Sequence, residues 1–159
     1  MGSGKTSLGK KLARKRDMNF IDLDKFIEEK ERTTIFSIFK KKGEDYFRIV
    51  ESENLKLLKG LKNTIVSTGG GAPCYFDNMD WMNANGLTVY LKMDPKMLFN
   101  RLKSSKNDRP LLKNKSKKEK LAYIHEKLAE REKYYEKAKI IVEAKGLKAD
   151  DLSNLIESY

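Results

Sequence analysis

The chain opens MGSGKTSLGKKLA, in which Gly4, Lys5 and Thr6 supply the second half of the phosphate-binding pattern G-x-x-x-x-G-K-[ST]. In such a turn, backbone N–H groups surround phosphate oxygens and the helix that follows adds its positive end. The lysine then reaches the outer phosphates and the Thr6 hydroxyl binds Mg²⁺. A plain glycine turn before an amphipathic helix has the same letters. Asp22 and Asp24 form the next candidate pair, because FIDLD at 20–24 reads as a short strand whose alternation puts both carboxylates on one face. Two crowded carboxylates call for a cation or a substrate hydroxyl between them. One acid near Mg²⁺ through water and one accepting a proton from an alcohol suit phosphoryl transfer. The alternative is a helix N-cap at Asp24 beside a solvated Asp22.

Two arginines complete the chemistry. Arg48 and Glu51 lie one helical turn apart in YFRIVE and can pair, although surface pairs of this spacing are common. Arg131 continues the inward stripe of Ile124 and Leu128, so its guanidinium must find an anion or an acidic partner, or extend to the edge of the core. Cys74 is the single cysteine, which excludes an internal disulfide and reads as a small packed residue.

Helical stretches alternate with short apolar runs along the whole chain, the pattern of a parallel α/β layer fold. Leu8, Leu12 and Ala13 share a helix face from Lys5 to about Lys15. TTIFSIFKKKG predicts a helix stopped at Gly43, and the next helix runs from Glu44 to about Leu61 with Phe47, Val50, Leu57 and Leu61 inward. TIVST at 64–68 is a strand leading into Gly69, Gly70 and Gly71. Asp77 caps a short helix ending at Gly86, LTVYL is a strand, and Asp94 caps a helix with Pro95 in its first turn. Ser116 and Glu119 form a capping box, IIVEA is a last strand, and 151–158 a last helix. Ligands in parallel sheets bind beyond the carboxyl ends of the strands, which gathers Gly4 to Thr6, Asp24 and Gly69 to Gly71 into one crevice.

The chain has 159 residues, 39% hydrophobic and 36% charged, and a formal charge of +11. This length fits one domain with a sizeable core. No apolar run reaches the roughly 18 residues of a membrane span, and the N-terminus reads as neither signal nor transit peptide, so a cytoplasmic protein is expected. Nine Lys or Arg against two acids give residues 101–120 a charge of +7. No aromatics are interleaved there to stack bases, so the segment reads as a loop for a local anion or as solvated surface rather than a nucleic-acid site.

Taken in order, GSGKT at 2–6, DLD at 22–24, the F-R-x-x-E of Phe47, Arg48 and Glu51, STGGGA at 67–72, RPLL at 109–112 and the L-x-x-R-x-x-x-Y of Leu128, Arg131 and Tyr135 resemble the shikimate kinase family. The resemblance runs from Met1 to at least Ala138. It implies a three-layer α/β/α phosphate-loop fold of the nucleoside monophosphate kinase kind, and Mg²⁺- and ATP-dependent phosphorylation of the shikimate 3-hydroxyl on the route to chorismate and the aromatic amino acids. It implies one domain over 1–159, with substrate-binding helices at about 25–61 and a lid at about 104–117.

The resemblance also assigns residues. ATP is expected at Gly2, Ser3, Gly4, Lys5, Thr6, Ser7, Arg101 and Arg109, with Arg101 near the adenine and Arg109 brought down from the lid onto the phosphates. Shikimate is expected at Asp24, Phe39, Phe47, Arg48, Gly69, Gly70, Gly71 and Arg131, both arginines on its carboxylate. Lys5, Asp24 and Arg109 carry the catalytic roles, while Thr6 and, through water, Asp22 hold the metal. A monomer acting on ATP and shikimate, with no nucleic acid or membrane partner, is expected. A gluconate kinase-like enzyme, or a non-catalytic or nucleic-acid-binding relic of the fold, are the rival readings.

A phosphate-loop fold places an apolar strand directly before the loop, and neither that strand nor the loop's first glycine is encoded after Met1. Met1 is therefore expected to be an internal methionine of a longer protein. Without the strand, two sheet edges and a core face would stand exposed.

Overall fold

Apolar spacing begins immediately after the glycine turn, and the first helix, α1 (Lys5–Lys15), forms there with Leu12 and Ala13 buried. A computed structural model describes residues 2–104 and 116–159. Among them the order continues β1 (Asn19–Asp22), α2 (Leu23–Glu31), α3 (Ile35–Lys56), β2 (Thr64–Ser67), a 3-10 turn (Ala72–Cys74), α4 (Asn78–Asn85), β3 (Val89–Lys92), α5 (Pro95–Ser104), α6 (Lys117–Tyr135), β4 (Ile140–Glu143) and α7 (Ala149–Glu157). No helix of the described residues is long and apolar enough to cross a membrane.

Local chemistry sets most boundaries. Asp94 accepts from the backbone amides of Lys96 and Met97 at the start of α5, and Ser116 and Glu119 exchange both bonds of a capping box at the start of α6. Gly43, with φ 81° and ψ 177°, kinks α3 where the sequence predicts a stop. Three expectations fail. The strand ends at Asp22 rather than running through Asp24, because the Asp22 carboxylate accepts from the Lys25 amide and starts α2. The helix after the kink ends at Lys56, so Leu57 and Leu61 are 64% and 51% exposed while Leu55 and Leu58 take the buried positions. Asp77 stands before α4 but caps no amide; its carboxylate pairs with Lys56 at 2.7 Å.

All strand pairing is parallel, as expected, but it falls into two pairs: β1 with β2 and β3 with β4. No strand among the described residues lies between the pairs, and a cavity of about 600 Å³ lined by Ile65, Val66, Val89, Leu91, Leu12 and other apolar side chains occupies that place. The core divides accordingly. Leu23, Ile27, Ile38, Phe47, Val50 and Leu55 pack around α2 and α3, whereas Leu91, Met93, Leu98, Phe99 and Ile124 pack around α5 and α6. Helix α1 lies over β1 and β2 and is tied to α7 by Lys15–Asp150 at 2.5 Å and Arg16–Glu157 at 2.8 Å.

Candidate active site

The glycine turn and α1 build the first wall. Gly4, the residue before α1, takes φ 91°, a conformation that favours glycine, and its carbonyl accepts from the Leu8 amide. Lys5 begins the helix, so the glycine turn and the positive helix end coincide. Arg101 crosses from α5 to donate to the Ser3 carbonyl at 2.9 Å, and Leu102 packs close to Gly2. Ser7 is exposed on the first turn of α1. Arg109, and nearly all of the expected lid, lie outside the described residues.

Thr6 and Asp22, sixteen residues apart in sequence, meet directly: the Thr6 hydroxyl donates to Asp22 Oδ2 at 2.9 Å and lies 3.5 Å from the Ser67 hydroxyl at the end of β2. These are hard oxygen donors, the kind Mg²⁺ accepts beside phosphate oxygens. Among the described residues no cluster of three or more His, Cys, Asp or Glu could form an all-protein metal cage. Asp24, exposed in the first turn of α2, does not share a strand face with Asp22. It instead approaches Gly69, whose missing Cβ would lie 3.1 Å from Asp24 Oδ1 and 3.0 Å from Glu51 Oε1.

Arg48 is the centre of the second wall. Its Nη1 donates to Glu51 Oε2 at 2.7 Å, while Nε and Nη2 donate to Glu44 Oε1 at 3.2 and 2.9 Å. The guanidinium carbon lies 4.4 Å from the Tyr75 ring centre and 5.1 Å from that of Phe47, which itself stacks at 4.7 Å on Phe39. Glu51 is fully buried, and burial pushes its carboxyl up against the opposing pull of Arg48. Glu44 is held low, first by the hydrogen bond from Arg48. Gly71 is required by close approach: a Cβ there would lie 2.4 Å from Arg48 Nη1.

Helix α6 closes the site from the other core. Arg131 lies close enough to Glu44, Glu51 and Cys74 for its charge to favour their ionised forms, which brings it to the neighbourhood of Arg48. One turn on, the Tyr135 hydroxyl donates to the Gly70 carbonyl at 2.5 Å and stacks on Tyr90. Burial pushes its hydroxyl up to about 12, which makes it a strap on the glycine turn and not a proton carrier near neutrality. Burial likewise raises the Cys74 thiol, which remains a packed side chain. Sequence reasoning gave no role to Glu44, Tyr75 or Ser67. The i, i+4 spacing of Glu44 to Arg48 was available as a signal; Tyr75 is 31 residues from Glu44 and carried none.

A family model described as shikimate kinase matches residues 1–159. The chain belongs to the shikimate kinase family. A shikimate kinase of Phocaeicola vulgatus is 48% identical over 154 residues, covering 97% of this chain and 85% of that relative. One of Parabacteroides distasonis is 42% identical over 160 residues, covering 98% and 92%. Among solved structures, a shikimate kinase from Bacteroides thetaiotaomicron superposes with a TM-score of 0.95 at 41% identity, covering 99% of this chain and 94% of that one. The shikimate kinase from Acinetobacter baumannii in complex with shikimate gives 0.85 at 35% identity, covering 99% and 87%. Family membership agrees with the α/β phosphate-loop architecture and with a phosphotransferase acting on an alcohol.

Proposed function

We propose that this chain transfers the γ-phosphoryl group of ATP to the 3-hydroxyl of shikimate, as a monomer in the cytoplasm. The observation that carries the reading is a buried guanidinium, Arg48, oriented by Glu51 and faced by Arg131, set beside a glycine turn and across from a phosphate loop. A carboxylated, hydroxylated small molecule fits that arrangement. Its carboxylate engages Arg48 and Arg131, Phe39 and Phe47 support the apolar side of its ring, and the backbone of Gly69 to Gly71 approaches it closely.

Phosphoryl transfer depends on placement and charge neutralisation more than on covalent help. The amides after Gly4 and the Lys5 ammonium hold the phosphates, and Asp24 aligns the acceptor hydroxyl and takes its proton as the new bond forms. In this reading Arg101 flanks the nucleotide and Arg109 arrives from a lid spanning about 104–117. Thr6 and Asp22, the latter through water, would hold Mg²⁺, which supplies charge neutralisation across the phosphate oxygens.

The test is ADP release with Mg²⁺-ATP in the presence and absence of shikimate, with gluconate as an alternative acceptor. Turnover that requires shikimate is expected. ADP release indifferent to shikimate, or driven by gluconate, overturns the proposal.

A further inference from the structure

Three donors converge on one oxygen of Glu44: Arg48 Nε, Arg48 Nη2 and the Tyr75 hydroxyl, the last at 3.0 Å. The two carboxylates on Arg48 are not equivalent. Glu51 is 1% exposed and holds the inner edge of the guanidinium, whereas the Glu44 side chain is 50% exposed and holds the outer edge. The remaining approaches are obstructed, since Tyr75 stacks on the guanidinium and Gly71 lies against its Nη1. The edge that Glu44 occupies is thus the solvent-facing one, where an arriving anion meets Glu44 first.

We infer that Glu44 is an internal stand-in for the substrate carboxylate, latched by Tyr75, and that a carboxylated substrate binds Arg48 by displacing it. The inference rests on the proposed role of Arg48 in holding shikimate. Two carboxylates cannot share one edge of one guanidinium without like-charge repulsion, so occupation is exclusive. Glu44 has a way to leave: it directly follows the kink at Gly43, and apart from its chain neighbours and the helix's own backbone nothing lies within 4 Å of where a Cβ on Gly43 would stand. Its carboxyl is held low by Arg48, so near neutral pH it departs as a carboxylate exchanged for another and not by taking up a proton.

The device gives selectivity. A ligand without a carboxylate cannot replace the charge-assisted bonds that Glu44 makes and is refused, while a carboxylated ligand replaces them like for like. The interior pair with Glu51 is untouched by the exchange and keeps the guanidinium aimed. Glu44 thus sets affinity without taking part in transfer.

The experiment compares steady-state kinetics of the wild type with Glu44→Gln, Glu44→Ala and Tyr75→Phe, varying shikimate at saturating ATP, with thermal melts to establish folding. Weakening the internal competitor should lower KM for shikimate about three- to tenfold in both Glu44 variants, the equivalent of roughly one charge-assisted bond made neutral. Tyr75→Phe should shift KM the same way by less, and the effect should fall on KM rather than kcat. KM that rises or stays constant in both Glu44 variants overturns the inference, because Glu44 would then orient Arg48 or do nothing. Arg48→Ala separates the two layers. If it leaves KM for shikimate unchanged, the substrate reading of Arg48 fails; if it raises KM while the Glu44 variants do not lower it, only the displacement fails.

Discussion

Replacing Arg48 with methionine keeps much of the side-chain volume and removes the charge, which leaves Glu51 buried without its partner at 2.7 Å. Breaking a buried pair from one side typically costs about 3–5 kcal/mol, because the surviving charge is uncompensated. Here the carboxyl has an escape, since burial and the neighbouring Asp24 already push its pKa up, and protonation removes the charge altogether. A carboxyl whose folded pKa lies above its unfolded value of about 4.3 makes the folded state bind more protons, so stability falls as pH rises through that window. The slope is at most about 1.4 kcal/mol per pH unit. The variant should therefore lose stability progressively as pH rises from 5 to 8, by no more than that slope, relative to a fully protonated Glu51. Urea melts at pH 5, 6, 7 and 8 measure this directly. Adding Glu51→Gln to Arg48→Met should recover most of the loss and flatten the pH dependence. A deficit equal at pH 5 and pH 8, or one that Glu51→Gln does not relieve, would show that the guanidinium acts through packing and would refute the account. The result also governs how activity is read, for an Arg48 variant assayed above pH 7 would lose fold as well as the proposed substrate contact.

Two further substitutions separate the two walls of the site. Gly71→Ala is conformationally permitted, with φ −88° and ψ −29°, yet its Cβ would lie 2.4 Å from Arg48 Nη1 and 2.7 Å from the guanidinium carbon. It should raise KM for shikimate about tenfold or more, by displacing a guanidinium that makes charge-assisted bonds, with little change in KM for ATP; equal effects on both would place the damage elsewhere. Thr6→Ala removes the hydroxyl 2.9 Å from Asp22 and should raise the Mg²⁺ concentration needed for half-maximal turnover several-fold, whereas an effect confined to shikimate would contradict the assignment.

What the sequence made legible was local. The Asp94 cap, the Ser116–Glu119 capping box and the kink at Gly43 each depend on residues within one helical turn, and each is where the letters put it. The errors came from competition between two local rules or from tertiary contact. At Asp22, strand alternation lost to helix capping, which separated two carboxylates that alternation had put on one face. At Leu57 and Leu61, apolar spacing continued past the point where α3 stops, so periodicity overstated burial. The glycine turn, Arg48 and Arg131 were legible as motif members, but Glu44 and Tyr75 acquire their importance only when β2 and the 3-10 turn bring Tyr75 back over α3. Among the described residues the strands fall into two parallel pairs with no strand joining them, a division that no local pattern announces.

The site draws its two charged walls from two different cores, and this bears on how it is held. Asp22, Asp24 and Arg48 belong with α2, α3 and the β1–β2 pair, whereas Arg131 and Tyr135 sit on α6, packed with β3, β4 and α5; the phosphate loop touches both, through Arg101 on Ser3 and Leu8 against the second core. A cavity separates the strand pairs, so their alignment cannot come from a continuous ladder. It depends on links such as the Tyr135 hydroxyl on the Gly70 carbonyl and the Arg16–Glu157 and Lys15–Asp150 pairs between α1 and α7. The ion pairs are exposed and contribute little each, whereas the half-buried Tyr135 bond joins α6 directly to the glycine turn. That bond joins the residue next to Gly71, against which Arg48 packs, to the helix that carries Arg131. The two guanidiniums are thereby kept in register through backbone and not through each other, as their proposed shared hold on one substrate carboxylate would require.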